Sequence, residues 1–383
     1  MRFTIDMKRF AAGFSLVSKG AAAADFSPAL TCVLVTAQTD KTVILEATDT
    51  ERGIRFQFDD VDVFAPGKVL LPVKLFSKIL SANKGSSVID LDTGDDKNGI
   101  EIRCDGSYYK IATNTADSFP ELPAAEPDNC YVFTAQEIVD GYNCTNFAID
   151  TENYRYALGG IYFQSGKTDT GKDIVNLVST DGRRLSQLEL GVTVIGSPND
   201  KPFIIPAKTF ALAQQIARSG AIDVKVYLDN FLVYFDFGSV RLHSRLTDGR
   251  FPAWEKIMPP KKERIYQSFK TSILLTALKQ ASVLTSDNCP GVKLWFSGGK
   301  RLTLSVPDAN NGSVEIEISP EQDSIGDTDI RSKIDPVLAI QYLSALPDES
   351  EVSVYLKDDN SSLLFESFDV DKAISNFILM PLA

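Results

Sequence analysis

Two hydrophobic periods take turns along this chain. Alternation with period two is clear at Ile222, Val224, Val226 and Leu228, set against Asp223, Lys225 and Tyr227, and again at Val314, Ile316 and Ile318, set against Glu315 and Glu317. These stretches predict half-buried antiparallel strands. Helical patterns occur at about 6–20, 72–84, 134–149, 206–219, 268–284 and 335–346, two in each third of the chain. On a helical wheel of 72–84, Leu75, Phe76, Ile79 and Leu80 share one face while Lys74 and Lys78 project from the other. In 268–284 the stripe is Ile273, Leu274, Ala277, Ala281 and Leu284, with Lys279 opposite. Pro72, Pro206 and Pro336 stand near the start of the second helix of each pair, where a missing N–H is harmless. The predicted class is α+β, with sheets on one side and helices on the other.

The same short signals recur at long spacing. Leu71-Pro72 returns 134 residues later as Ile205-Pro206, and Ser118-Phe119-Pro120 returns after 132 residues as Arg250-Phe251-Pro252. Ala47-Thr48-Asp49-Thr50 becomes Ser179-Thr180-Asp181-Gly182, and Ile257-Met258-Pro259 becomes Leu379-Met380-Pro381. So long a period exceeds any solenoid repeat, so each copy is expected to be a domain with its own core. The boundaries are expected in 124–127 and 259–262, giving domains 1–127, 128–261 and 262–383. Three similar domains suggest an arc or a ring, and a ring suggests topology rather than catalysis.

Composition adds exclusions. With 383 residues, 44% hydrophobic and 23% charged, the chain fits two to three globular domains. Charges interrupt the N-terminus, Met1 to Arg9, where a signal peptide needs an apolar run, and no 18-residue apolar stretch occurs. A soluble, cytoplasmic protein away from membranes is expected. Cys32, Cys104, Cys130, Cys144 and Cys289 are scattered and odd in number, which argues against disulfides and zinc alike and predicts buried small hydrophobes. The sequons Asn143-Cys144-Thr145 and Asn311-Gly312-Ser313 carry little meaning in a cytoplasmic chain.

Charge is segregated. The net charge is −12, yet the six helical windows hold ten Lys or Arg (Lys8, Arg9, Lys19, Lys74, Lys78, Lys84, Lys208, Arg218, Lys270, Lys279) and four acids (Asp6, Glu137, Asp140, Asp335), a balance of +6 that leaves −18 for the rest. Each lysine alone reads as an ordinary solvated helix face. If all the helices face one cavity, however, that cavity is mildly basic inside an acidic shell, a field that draws in a polyanion.

Catalytic chemistry is scarce. His243, the only histidine, sits in the alternating stretch Val240 to Ser244, which predicts a surface or sheet-face position. Gly166 to Lys172 matches the outline of a phosphate loop, but Asp173 replaces the magnesium-binding Ser or Thr and a strand follows instead of a helix, so a polar hairpin tip is expected. Asp59-Asp60 and Asp95-Asp96 lack the glycine and spacing of a calcium loop. Neither an enzyme nor a cofactor is indicated.

Taken together in order, Ala47-Thr48-Asp49-Thr50-Glu51, Phe119-Pro120-Glu121-Leu122-Pro123, Arg155 to Gly160, Thr180-Asp181-Gly182-Arg183-Arg184-Leu185, Asp248-Gly249-Arg250-Phe251-Pro252 and the terminal Leu379-Met380-Pro381-Leu382 resemble the bacterial sliding clamp family, the beta subunit of DNA polymerase III. The resemblance spans the whole chain. It implies a ring-shaped head-to-tail homodimer, helices lining a central hole and antiparallel sheets outside. It also implies a function: encircling duplex DNA without sequence preference and tethering the polymerase III alpha subunit, other DNA polymerases and repair proteins, with a separate clamp loader to open the ring.

Site residues follow from the same resemblance. A partner-peptide pocket would use Leu158, Thr180, Gly182, Arg183, Arg184, Leu185, Pro252, Lys256, Ile257, Asn360, Ile378, Leu379, Met380, Pro381 and Leu382, with Lys256 and Asn360 departing from the common Arg and apolar residue. Arg155 and Tyr156, taken as DNA candidates, match the family's inner-helix Arg-Tyr, whereas Ala157 replaces a second tyrosine and Ala24 stands where some members have an arginine that touches DNA. Lys74, Lys78, Lys208 and Lys279 are added as DNA candidates from their helix faces. Tyr109 and Ile111 align with one side of the dimer seam and Val283 and Leu284 with the other; each pair reads equally well as core. A scaffold that binds only proteins would share this fold without retaining DNA.

Overall fold

The structure, a computed structural model, describes residues 1–24, 27–94, 99–124, 128–151, 156–229, 231–286, 291–297, 301–308, 312–324, 328–368 and 373–382. Six helices stand where the periodicity places them: α1 Met7–Val17, α2 Val73–Ala82, α3 Ala135–Thr145, α4 Ala207–Ala217, α5 Thr271–Ser282 and α6 Pro336–Leu343. The Asp6 side chain caps α1 by accepting from the Arg9 N–H, and Asp335 caps α6 through the Val337 N–H ahead of Pro336. All ten basic residues of the helical windows are exposed.

Two apolar positions depart from expectation for one geometric reason. Leu75 on α2 and Ile273 on α5 are exposed. The buried stripes are Phe76, Ile79 and Leu80 on α2, and Leu274, Ala277, Leu278 and Ala281 on α5. The residue just before a stripe's first member sits about 100° round the helix from it, beyond the edge of a narrow stripe.

The chain forms two compact units, and the strands of its middle third divide between them. One unit comprises Met1–Gln136, Val194–Asn199 and Ala211–Leu246. It holds a five-stranded sheet whose outer strand is Ser107–Ala112 and a nine-stranded sheet in which Arg52–Phe58 pairs with Val240–Arg245. Phe10 and Phe14 of α1 meet Phe76 of α2, with ring centroids 6.1 and 4.8 Å apart, and Phe3 and Phe58 complete this aromatic core.

The other unit comprises Glu137–Thr193, Asp200–Phe210 and Thr247–Ala383. Its nine-stranded sheet is continued by the pairing of Arg184–Gly191 with Ile374–Leu379, and its four-stranded sheet ends on Gly312–Ile318. Tyr342 of α6 is fully buried and stacks on Phe377 at 4.6 Å. The connector 259–262 is fastened within this unit. Lys261 pairs with the buried Glu366 and its ammonium lies 5.9 Å from the ring centroids of both Tyr355 and Phe368. Arg264 donates to the Ser362 carbonyl at 2.5 Å.

Cys32, Cys104, Cys130 and Cys144 are buried, as expected, and burial raises the thiols of the first three above their ordinary range. Cys289 and the pair Asp95-Asp96 lie outside the described residues.

The recurring Thr-Asp signal folds into the same turn twice. In the first copy Thr48 Oγ1 donates to the Arg52 carbonyl (2.8 Å), Asp49 Oδ1 accepts from the Glu51 and Arg52 N–H groups, and Asp49 Oδ2 accepts from Arg52 Nε (2.8 Å). Thr180, Asp181, Arg183 and Arg184 repeat the set bond for bond. The turn needs a positive φ at its third residue: Gly182 takes +88°, while the first copy forces Thr50 to +74°. A β-branched residue is strained there. Since Thr50 is exposed and takes part in the turn through its backbone N–H, which donates to Thr48 Oγ1 at 3.0 Å, Thr50→Gly is expected to raise stability by about 1 kcal/mol. Denaturant midpoints of the two proteins check this; an unchanged or lower midpoint in the variant rejects the strain argument.

Candidate functional site

The second aspartate turn joins two strands that carry Val178 and Leu185 into an apolar cluster. Strand pairing places Leu185 opposite Ile378 and Ile378 opposite Leu364, so the three side chains share one face of the sheet. Leu158, Val178, Ile204, Phe251 and Trp254 join them in one buried cluster, and Ala157, Tyr162, Met258 and Tyr355 pack against it. Tyr162 and Phe251 stack with centroids 4.6 Å apart and planes within 9°. Trp254 Nε1 donates to Gln164 Oε1 at 2.7 Å, and Gln164 Nε2 donates onward to Glu255, which fixes the indole. Beside the cluster a depression of about 590 Å³ opens between Ala157-Leu158 and the run Asp248 to Ala253. Such a concave apolar wall with a few fixed polar groups suits an apolar side chain on an extended segment.

Of the residues carried over to this pocket, Leu158, Leu185 and Ile378 meet in the cluster, and Pro252 lines the depression with Leu158. Thr180, Gly182, Arg183 and Arg184 form the turn. Arg184 is almost fully buried and each of its nitrogens has a partner: Asp181, Gln341 and the Phe147 carbonyl. It therefore orders the turn rather than offering donors outward, and burial holds its pKa below the usual value despite Asp181. Arg183 is exposed. Leu379 pairs with Arg184, one position out of phase with Ile378, and so faces the other side of the sheet. Met380 is half exposed, with its N–H bonded to the Arg183 carbonyl at 3.1 Å, and the Leu382 N–H reaches the Lys333 carbonyl at 2.7 Å. Lys256, Ile257 and Asn360 are exposed, Asn360 in the turn that joins Glu351–Leu356 to Leu363–Phe368.

The cluster also contains Val178, Ile204, Phe251, Trp254 and Leu364, which the residue-by-residue carry-over did not include. Alternation back from Thr180 places Val178 on its side of the strand, and Phe251 precedes Pro252. Nothing local marks Leu364.

Among the DNA candidates, Lys74 and Lys78 on α2, Lys208 on α4 and Lys279 on α5 are exposed. Arg155 lies outside the described residues. Tyr156 opens the short 3-10 turn Tyr156–Leu158, and its side chain also lies outside them. Tyr109 and Ile111 are half-buried on the outer strand Ser107–Ala112, where the Tyr109 hydroxyl accepts from Asn83 at 3.0 Å. Val283 is exposed and Leu284 half-buried at the end of α5.

His243 is not at the surface. It faces Gly53 across paired strands, and a Cβ on Gly53 would stand 2.4 Å from its Cε1, so the absent side chain is what admits the imidazole. Burial lowers its pKa from 6.5 to about 4, against the opposing pull of Asp49. Gly166–Lys172 is a hairpin tip, with Lys167 paired to Asp173 at 2.7 Å. Among the described residues no cluster of three or more His, Cys, Asp or Glu is placed to hold a metal, and no helix is long and apolar enough to cross a membrane.

Residues 1–123 match the family described as DNA polymerase III beta subunit, N-terminal domain, and 135–253 match the central domain of the same subunit. The chain is 27% identical to the beta sliding clamp of Synechocystis over 95% of both chains, and 24% identical to that of Vibrio cholerae over the full length of both. Its fold is similar to a crystal structure of the sliding clamp of Bartonella birtlesii bound to griselimycin (TM-score 0.86, 25% identity, 100% of this chain and 99% of that one). It is likewise similar to the clamp of Bacillus subtilis (TM-score 0.88, 20% identity, 100% and 99%). Fold and matched domains define the class, a sliding clamp, whose role is non-catalytic. The chain belongs to the family of DNA polymerase III beta subunits.

The buried histidine makes stability depend on pH in a definite direction. Its folded pKa lies below the unfolded value, so above pH 6.5 both states are neutral and nothing is lost. As pH falls from 6.5 to about 4 only the unfolded chain takes the proton, and stability drops by roughly 1.4 kcal/mol per unit. Denaturant unfolding of the parent and of His243→Gln between pH 7 and 5 isolates the term. The parent is expected to lose more than the variant over that window; equal losses mean the imidazole protonates in the folded state.

Proposed function

We propose that this chain is a processivity clamp of the cytoplasm: three similar domains, 1–127, 128–261 and 262–383, closed head to tail with a second copy into a ring around duplex DNA. The match of the first and middle thirds to the two beta-subunit domains, with similarity to sliding clamps along the full length, carries this reading. Retention by enclosure needs no base contacts; weak phosphate contacts suffice and leave the protein free to slide. Lys74, Lys78, Lys208 and Lys279, together with Arg155 and Tyr156, are the proposed DNA-facing set, and the exposed lysines on three helices of an acidic chain support it. Strands Ser107–Ala112 and Gly312–Ile318 end their sheets and invite pairing across a seam formed by Tyr109 and Ile111 on one copy and Val283 and Leu284 on the other.

The apolar pocket is the proposed dock for extended segments of the polymerase alpha subunit, other polymerases, repair proteins and the clamp loader. Burying two apolar side chains there contributes roughly 3 to 6 kcal/mol. After ordering costs this fits micromolar binding, weak enough for partners to exchange.

Retention on nicked circular DNA tests enclosure directly. The loaded protein is expected to stay on circles and to leave after linearisation. Replacing Lys74, Lys78, Lys208 and Lys279 together by Glu is expected to keep the fold but lower loading, most strongly at low salt. Val283→Ala with Leu284→Ala is expected to sediment as a monomer and to be lost from circles. Equal retention on circles and linear DNA removes the clamp reading and leaves a protein-binding scaffold.

Deleting 380–383 is expected to spare DNA retention while weakening partner peptides at least about tenfold, since Met380 follows the strand that carries Ile378 and its N–H is bonded to the Arg183 carbonyl of the turn. Fluorescence anisotropy with thermal melting separates the outcomes. Full affinity rejects the tail's role, and a collapsed melting temperature makes it structural first.

A further inference from the structure

The first third carries the same aspartate turn and, beside it, a cavity of its own. This cavity, about 310 Å³, is lined by Glu46, Arg55, Gln57, Arg241 and His243, with Leu122-Pro123-Ala124 as an apolar wall. The 132-residue offset that relates the two turns sets Glu46 against Val178, Gly53 against Leu185 and Leu122 against Trp254. His243, opposite Gly53, likewise takes the place of Ile378, opposite Leu185. The chain thus builds one pocket from apolar groups and its counterpart from hydrogen-bonding ones.

The polar pocket is built rather than incidental. His243 is only 7% exposed, locked against Gly53, and has no hydrogen-bond partner for its nitrogens among the described residues. Its nitrogens are not among the enclosed polar atoms, so the cavity is the side from which water or a ligand reaches them. Donors dominate the remaining lining. Arg55 donates Nη1 to Glu46 at 2.9 Å, which engages the one carboxylate among the described lining residues, and Arg241 is oriented by Asp236 at 2.9 Å. Guanidinium groups flanking an imidazole match an acceptor with two oxygens, and the Leu122–Ala124 wall matches a short methylene stem.

We propose that this cavity is a second binding site, which takes the carboxylate of an acidic side chain, glutamate by the room available, on an extended partner segment. The apolar pocket and this one then read different side chains, so one partner can occupy both or two partners can share the chain. The proposal does not rest on DNA encirclement, and its test involves no DNA.

His243 is the only histidine, so full-length protein labelled at histidine gives a single imidazole signal by NMR. Titration with N-acetyl-glutamate methylamide is expected to move that signal saturably and, because a bound anion favours the imidazolium, to raise the apparent pKa of His243 by about one unit. N-acetyl-glutamine methylamide is expected to leave it in place. Arg55→Gln, at an exposed side chain, should keep the unliganded signal where it is, as a control for the fold, and weaken binding at least about tenfold. Absence of a saturable shift, or an equal shift with the glutamine compound, overturns the site. An equal response to acetate or sulfate overturns its assignment to a peptide side chain.

Discussion

Two antiparallel ladders join strands that are far apart in sequence, Arg52–Phe58 with Val240–Arg245 and Arg184–Gly191 with Ile374–Leu379. Each ladder satisfies backbone groups that would otherwise be buried without partners, and each turns two short sheets into one of nine strands. Register then determines chemistry. Leu185 meets Ile378 and Leu364 only in this alignment, and a slip of Ile374–Leu379 by one residue would turn Leu379 toward the pocket in place of Ile378. In the other unit the same dependence sets His243 against Gly53. Both candidate binding sites are therefore products of long-range strand pairing, not of any local motif.

The aspartate turns show how a repeat can keep a scaffold while changing what it presents. Threonine, aspartate and arginine reproduce the same bonds at both sites because the backbone amides they satisfy are the same. What differs is attached nearby: Val178, Leu185 and Ile378 in one copy, Glu46, Gly53 and His243 in the other. A pocket inherits its position from the turn and its character from three side chains on neighbouring strands.

Much of this was legible in the sequence. Helices with a strong apolar stripe and a proline or aspartate at the start were placed within a few residues, because local patterning and capping determine them. Leu75 and Ile273 misled because a wheel shows which residues cluster in angle but not how wide a stripe the sheet beneath will cover. Leu158, Leu185, Ile378 and Pro252 reached the pocket through resemblance, while Leu364 and Trp254 became visible only through pairing and packing. The burial of His243 was illegible for a related reason: it depends on a glycine 190 residues away in the chain. A division into thirds follows the repeat, but compactness follows hydrogen bonds, and the middle third contributes strands to both units.

The fastening of the connector 259–262 has a mechanical meaning. Two prolines stiffen its backbone, Lys261 is pinned at Glu366 between Tyr355 and Phe368, and Arg264 is tied to the Ser362 carbonyl. A segment held at so many points behaves as a splint and not as a hinge. Bending it would strip a buried carboxylate of its counter-ion, a cost far above thermal energy. If the chain closes with a second copy as proposed, the opening of that ring draws its compliance from elsewhere in the chain or from the proposed seam.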